Sequence, residues 1–170
     1  MFSQLTLQQR DRIREHWLGA IIATYPADTV RFLRSRKNRF ANPVGQTLQE
    51  NIGKLTDGLW SDADPAALQE PLAKILRIRA VQEFSPSQAV AFVFALKPIF
   101  REALSAAELA DIPDVEMDAF DRRIDEIGLL GFDIYMQLRE RSWEIRSHEL
   151  RNRTHLLLER TGFFGSQSSE

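Results

Sequence analysis

Apolar residues recur every three or four positions along almost the whole chain, and prolines and helix-capping residues divide this pattern into segments. Alternating strand patterns and hairpin turn signals do not occur between the segments. The sequence therefore predicts an all-α fold: one compact helical bundle of about six helices with a long C-terminal helix. The expected helices are 7–24, 27–36, 43–60, 72–82, 86–106 and 117–161.

Capping residues give the clearest helix starts. Thr6 is followed three residues later by a glutamine, which is typical of a capping box. Asn42 and Ser85 each precede a proline that fits the first helical turn. Because proline has no backbone N–H, we expect Pro71 to limit the fourth helix to residues after it and Pro98 to kink the fifth.

The last helix, 117–161, changes character midway. Its seam at intervals of three and four is apolar from Phe120 to Leu138 and then mostly polar from Arg141 to His155. A helix over 118–160 would be ~65 Å long, whereas a compact domain of this size is only ~40 Å across. We therefore expect the first half to lie in the core and the second half to extend toward a partner, with a possible bend near Gly128 and Gly131.

The three tryptophans support this division of the last helix. Trp17 and Trp60 fall on or beside apolar stripes and are expected in the core. Trp143 lies among polar residues, where an aromatic side chain often anchors a protein contact. The candidate partner-binding residues of this helix are Arg141, Trp143, Ile145, His148, Leu150, Asn152 and His155.

A basic run near the start of the chain is a second candidate contact. Its five cations are Arg31, Arg34, Arg36, Lys37 and Arg39. Three interpretations stay open: a solvated helix end, a surface for an anionic protein partner, or a phosphate or nucleic-acid contact. The acidic stretch 108–126 is an internal alternative, because it could pair with the run within one molecule.

Composition narrows the class of protein. The 170 residues, 44% hydrophobic and 27% charged, fit one soluble folded domain, assigned to 1–161 with a flexible tail at 162–170. A formal charge of -2 argues against a general nucleic-acid binder. No cysteine is present, so disulfides and thiol chemistry are excluded. With no secretory signal and no apolar run long enough for a membrane span, we expect a cytoplasmic protein.

Catalytic and cofactor motifs are missing as well. The sequence has no nucleophile elbow, no phosphate loop and no dinucleotide fingerprint. His148 and His155 lie two turns apart, roughly 10 Å along a helix, which is too far to share one metal within a chain, although a symmetric dimer could bring two such pairs together. We therefore expect no enzyme activity, no metal and no cofactor.

Three stretches together resemble the N-terminal domain of the RsbT co-antagonist RsbRD family: RFANPVG at 39–45, RIRAVQEFSPSQAV at 77–90, and the closing helix rich in arginine and glutamate. Within them the distinctive polar positions are Arg79, Gln82 and Ser85. The resemblance implies a helical sensory module of stressosome-type regulators, whose related domains have a globin-like fold without haem and dimerise.

In longer relatives, the resemblance implies, a STAS domain follows the last helix and carries the phosphorylated output. This sequence ends at Glu170, so we expect a stand-alone version in which the last helix is itself the output. Short members that resemble this chain are found with the dissimilatory sulfite-reduction system of sulfur-metabolising bacteria, which implies an accessory or regulatory role there.

We therefore expect a non-enzymatic regulatory or scaffold protein that forms a homodimer, or binds another protein, through its C-terminal helix. Two alternatives stay open. One is a ligand- or haem-binding helical sensor, and the other is an adaptor that reaches a sulfite-reduction membrane complex through the basic run.

Overall fold

The structure of the protein, a computed structural model, describes the backbone of residues 5–33 and 42–160 and the side chains of 5–31, 33 and 42–155. These residues form eight helices and no strand, which confirms the all-α class. The helices are α1 (Leu7–Ala23), α2 (Ala27–Leu33), α3 (Pro43–Trp60), α4 (Pro65–Val81), α5 (Pro86–Phe94), α6 (Leu96–Ala103), α7 (Ala106–Ala110) and α8 (Asp114–Arg160). The predicted tail at 162–170 lies outside the described residues.

The capping signals place the starts of α1, α3 and α5 as predicted. At α1, Thr6 Oγ1 accepts a hydrogen bond from the Gln9 amide and the Gln9 side chain accepts one from the Thr6 amide. At α3, Asn42 Oδ1 accepts from the Gly45 amide at 2.9 Å. These side chains satisfy backbone donors that a helix start leaves free, so local sequence determines the boundary.

Helix α4 begins earlier than predicted, and the assignment of its start to Pro71 is wrong. Asp64 caps the helix, accepting from the Ala66 amide at 2.8 Å, and proline occupies the first turn. Pro71 removes one hydrogen bond from the helix interior. Leu68 in the added turns is only 2% exposed, and burial of this side chain offsets part of that loss.

The predicted helix 86–106 is two helices followed by a third. The chain turns at Ala95 between α5 and α6, where the kink was expected, because Pro98 has no N–H to donate to the carbonyl of Phe94. Ser105 then caps α7 in a capping box with Glu108. This Ser-x-x-Glu signal accounts for α7, most of which falls between the predicted helices 86–106 and 117–161.

Contacts divide the chain into two compact units, Met1–Tyr135 and Met136–Glu170. In the first unit, Trp17 is 1% exposed and Trp60 6% exposed, so both tryptophans lie in the core as predicted. Its fully buried apolar side chains include Ile13, Ile21, Leu48, Ile52, Leu72, Ile75, Leu76, Val93, Phe100, Phe120 and Ile124. The assignment of 1–161 to one domain stays a prediction.

Helix α8 is continuous over 47 residues, so Gly128 and Gly131 do not break it. Its predicted core positions are buried: Phe120, Ile124, Ile127 and Ile134 are each at most 6% exposed. Both glycines are buried too. The backbone therefore approaches neighbouring side chains closely at these two positions.

The two glycines are expected to respond oppositely to alanine. A Cβ at Gly131 would meet Leu72 at 3.5 Å, an ordinary contact, so Gly131→Ala should raise the free energy of unfolding by about 1 kcal/mol through helix propensity. A Cβ at Gly128 would overlap the ring of Phe94, so Gly128→Ala should lose that gain. Urea unfolding measures both, with Gly53→Ala, which has open space, as the control. Equal stabilisation by all three variants would contradict the close approach at Phe94.

Glu108 joins α7 to α1 and makes stability depend on pH. Its carboxylate accepts from Gln9 Nε2 at 2.7 Å and pairs with Arg12 Nη2 at 3.0 Å. Hydrogen bonds, first from the Ser105 amide and then from Gln9, lower the pKa of this carboxyl from 4.5 to about 2. Because the folded pKa lies below the ordinary value, this carboxylate stabilises the fold above pH 4.5 and loses that effect as pH falls toward 2.

We expect Glu108→Gln to destabilise the protein at pH 7 and to be nearly neutral near pH 2 relative to the native chain. Urea unfolding at the two pH values measures the difference. The matched control is Glu102→Gln, at an exposed position on α6, where we expect little change at either pH. A Glu108→Gln effect that stays constant with pH would rule out this linkage.

Candidate functional site

The segment 140–155 of α8, here called the exposed segment, carries the helix candidates from the sequence. Among its residues only Ser147 is half-buried, and the rest are exposed. Trp143 is 65% exposed, Ile145 62% and Leu150 65%. Large apolar side chains this accessible, close together on one element, are typical of a surface that another molecule covers.

The helical repeat separates the candidates into two faces. Trp143 and Leu150 are seven residues apart and share one face, with Ser147 between them. Ile145 and Asn152 share the opposite face. Arg141, His148 and His155 belong to the side of Ile145 and are exposed. The sequence seam therefore identified the Ile145 face, whereas the face with the tryptophan lies across the helix from it.

Polar contacts within the exposed segment are short-range. Asn152 Nδ2 and His148 Nδ1 lie 3.1 Å apart, and Arg151 Nη2 donates to Ser147 Oγ at 3.4 Å. A shallow depression beside the indole is lined by Trp143, Glu144, Ser147, His148 and Arg151. Its polar rim and aromatic floor suit a protein side chain better than a buried small molecule.

Only the first residue of the basic run is described. Arg31 is exposed at the end of α2, whereas Arg34, Arg36, Lys37 and Arg39 lie outside the described residues. The acidic stretch has other cationic partners: Asp121 pairs with Arg101 at 2.7 Å, and Asp125 pairs with Lys97 at 2.7 Å. The basic run therefore stays a predicted contact surface.

A buried arginine in the first unit forms the second site. Arg79 on α4 is 0% exposed, and its apolar neighbours on the same helix face are Leu72, Ile75 and Leu76. Its Nη1 donates to the carbonyl of Gln88 at 3.0 Å and its Nη2 donates to Thr24 Oγ1 at 3.1 Å. Both acceptors are uncharged, so no carboxylate within the described residues neutralises this cation.

Aromatic rings surround the guanidinium. Its central carbon lies 4.8 Å from the ring centre of Phe84, 5.0 Å from that of Phe92 and 5.8 Å from that of Tyr25. Cation–π attraction of about 0.5–2 kcal/mol per ring offsets part of the penalty for burying a charge. Arg79, Tyr25, Phe84 and Phe92 together are called the arginine cage below.

Two polar atoms of the arginine cage have no hydrogen-bond partner among the described residues: Nε of Arg79 and Oη of Tyr25. An unsatisfied buried donor costs about 1–3 kcal/mol. Burial lowers the pKa of the Arg79 guanidinium and raises the pKa of the Tyr25 hydroxyl, which the nearby Arg79 charge partly counteracts. The cage therefore holds a buried charge whose hydrogen bonds are incompletely satisfied among the described residues.

The loop between α4 and α5 covers the cage. Glu83 has φ of 59°, a left-handed conformation that costs roughly 1–2 kcal/mol for a residue other than glycine. The next residue, Phe84, lies over Arg79 and its carbonyl accepts a hydrogen bond from Tyr135 Oη. The Glu83 amide donates to the Ala80 carbonyl and the Phe84 amide donates to the Arg79 carbonyl, each at 3.3 Å, so the left-handed residue closes the end of α4 in a Schellman motif.

Sequence reasoning placed Arg79 on the buried face of its helix but did not identify the cage. The available signal was a single arginine at a position that the three-and-four repeat assigns to the core. Its partners come from residues near 25, 84, 92 and 135, and only the fold brings them together.

A model of the family described as RsbT co-antagonist protein rsbRD N-terminal domain matches residues 11–150, most of the chain. The chain belongs to this family. The resemblance drawn from 39–45 and 77–90 is thereby confirmed. Comparison with curated proteins and comparison with solved structures each gave no significant match.

The RsbRD N-terminal domain is a regulatory domain family and not a known enzyme family. The matched span includes the whole arginine cage and extends along α8 through Trp143 and Leu150. It ends before Asn152 and His155. The arginine cage therefore lies wholly within the matched span, and the exposed segment lies within it up to Leu150.

The described part of this RsbRD N-terminal domain contains neither a candidate metal site nor a candidate membrane span. Its His, Asp and Glu side chains do not form a group of three that could hold a metal ion there. Among the described helices, none combines the length and apolarity needed to cross a membrane. The haem-sensor and membrane-adaptor alternatives remain predictions.

Proposed function

We propose that the chain is a non-enzymatic, cytoplasmic regulatory protein that acts through protein contacts of the exposed segment. The observation that carries this proposal is the exposure of Trp143 and Leu150 on one helix face. Covering this face would remove two large apolar side chains from water, and burying each fully is worth about 1.5–3 kcal/mol. Family membership supports a regulatory role and supplies no catalytic set.

Charge on the two flanks of this face favours a second copy of the chain as the partner. Arg139 and Arg146 lie on one side of the Trp143 stripe, and Glu140, Glu144 and Arg151 lie on the other. In a parallel pair of helices, each flank meets the opposite flank of the partner, so the arginine flank meets two glutamates and one arginine. An antiparallel pair would place arginine against arginine, which is unfavourable. We therefore propose a parallel homodimer.

Removing the stripe should convert the dimer to a monomer. The double variant Trp143→Ala, Leu150→Ala loses two candidate anchors, each worth about 2 kcal/mol or more. The dissociation constant of the dimer should therefore rise by about 10³-fold. Size-exclusion chromatography with light scattering should give twice the 19.6 kDa chain mass for the native protein and the chain mass for the variant.

Ile145→Ala is the matched control, because it removes an equally exposed apolar side chain from the opposite face. We expect it to stay dimeric. A native protein that remains monomeric across the micromolar range would overturn the homodimer. A dimer that survives loss of the Trp143 stripe but dissociates in Ile145→Ala would place the interface on the other face.

A further inference from the structure

The arginine cage has the features of a binding site that is closed. It contains a buried cation with uncharged partners, and five N–H donors of which only two have acceptors among the described residues. It also contains the unpartnered Tyr25 hydroxyl. A solely structural arginine in a core normally has its charge paired, because leaving it unpaired is costly.

We propose that Arg79 anchors a binding site for a small planar oxyanion of the carboxylate, nitrate or bicarbonate type, which enters beneath Phe84. Such an anion neutralises the buried charge, and its two oxygens accept from the guanidinium edge that includes Nε–H. Tyr25 Oη lies in the same cage and donates a further hydrogen bond to it. This site goes beyond the helix contact proposed above and does not depend on it.

Shape favours a small and flat ligand. Three aromatic rings lie within 5.8 Å of the guanidinium carbon, so the space beside it is bounded by ring faces. A planar anion in the plane of the guanidinium makes two parallel hydrogen bonds without displacing these rings far. A tetrahedral dianion such as sulfate is thicker and carries a second charge that the cage does not neutralise.

Entry requires the covering loop to move. Phe84 is half-buried, whereas its neighbours Gln82 and Glu83 are exposed. The amides of Glu83 and Phe84 donate to the carbonyls of Ala80 and Arg79, and opening costs these two hydrogen bonds. The hydrogen bond from Tyr135 Oη to the Phe84 carbonyl opposes opening. The apparent affinity equals the intrinsic affinity multiplied by the fraction of time that the loop is open.

The test is titration of the full chain with sodium formate at constant ionic strength, followed through the Arg79 Nε–Hε signal in proton–nitrogen correlation spectra. We expect a saturable shift in the millimolar range with formate, nitrate and bicarbonate, and none with sulfate or chloride. An Arg79 signal that formate does not move, or moves only as chloride does, would overturn the proposal.

Tyr25→Phe separates binding from folding. It removes a hydroxyl without a partner, so the free protein should keep its stability or gain slightly. Loss of a hydrogen bond to a charged ligand should weaken formate binding about tenfold. An unchanged formate affinity would remove Tyr25 from the site and overturn the proposal as stated.

Tyr135→Phe tests the entry route, because it removes a bond that only the closed loop makes. We expect it to strengthen apparent formate binding, the opposite of Tyr25→Phe. Weaker binding would rule out entry beneath Phe84. Arg79→Met should abolish the response in the backbone amide signals of all cage residues, while light scattering reports separately on the helix dimer.

Discussion

Phe100→Ala is expected to lower the free energy of unfolding by about 3–5 kcal/mol. Phe100 is 0% exposed, and its ring centre lies 4.6 Å from that of Phe120 and 6.2 Å from that of Trp60. The ring therefore joins α6 to α8 and α3. Alanine removes the packing and leaves a cavity that rigid helices cannot fill completely.

Urea unfolding followed by circular dichroism measures this loss. Leu129→Ala is the matched control: it truncates a large side chain on α8 that is 67% exposed, so we expect a change within about 0.5 kcal/mol. A Phe100→Ala loss below about 1 kcal/mol would mean that the core around Phe120 repacks and that this aromatic contact is not a main source of stability.

The parts of the fold that were predictable are those determined by neighbouring residues. Caps at Thr6, Asn42 and Ser85 satisfy backbone donors three residues away, so a short stretch of sequence contains the whole interaction. The division of α8 into buried and exposed parts followed from side-chain polarity alone. Leu138, half-buried, lies where the polarity changes.

The errors arose where tertiary burial competed with a local rule. Pro71 reads as a helix start, but α4 begins at Pro65 because Asp64 caps it and Leu68 is buried. The Ser105 and Glu108 capping box was a readable signal that a continuous apolar pattern obscured. Proline and burial both contribute a few kcal/mol at such positions, so sequence alone does not determine which dominates.

The two candidate sites also differ in how far the sequence alone predicts them. Exposure of Trp143 was predictable because its neighbours in sequence are polar. The arginine cage was not, because Tyr25, Phe84 and Phe92 come from three places in the chain. What the sequence showed was one charged residue, Arg79, at a core position. Such a conflict between residue type and position is where function is most often found.

The two sites share one physical property, which is that each is unfavourable for the isolated chain. The exposed segment leaves large apolar side chains in water, and the arginine cage leaves a charge and two polar atoms unsatisfied. A ligand or partner that removes either cost stabilises the protein through binding.

Arg79→Glu is expected to destabilise the protein at pH 7 by about 3–5 kcal/mol relative to Arg79→Met. The buried carboxylate would face the Gln88 carbonyl oxygen and aromatic ring faces, all of which carry negative partial charge. Methionine has similar length and no charge, so it should fold with stability close to that of the native chain.

The pH dependence of stability in Arg79→Glu shows whether burial of a charged carboxylate causes the destabilisation. Burial raises the pKa of the new carboxyl in the folded state above its ordinary value of about 4.3, so folding is penalised above that pH and not below it. Urea unfolding at pH 4 should therefore show Arg79→Glu approaching Arg79→Met, and at pH 7 a wide gap. An equal gap at both values would mean that water reaches position 79 and that the cage is not dry.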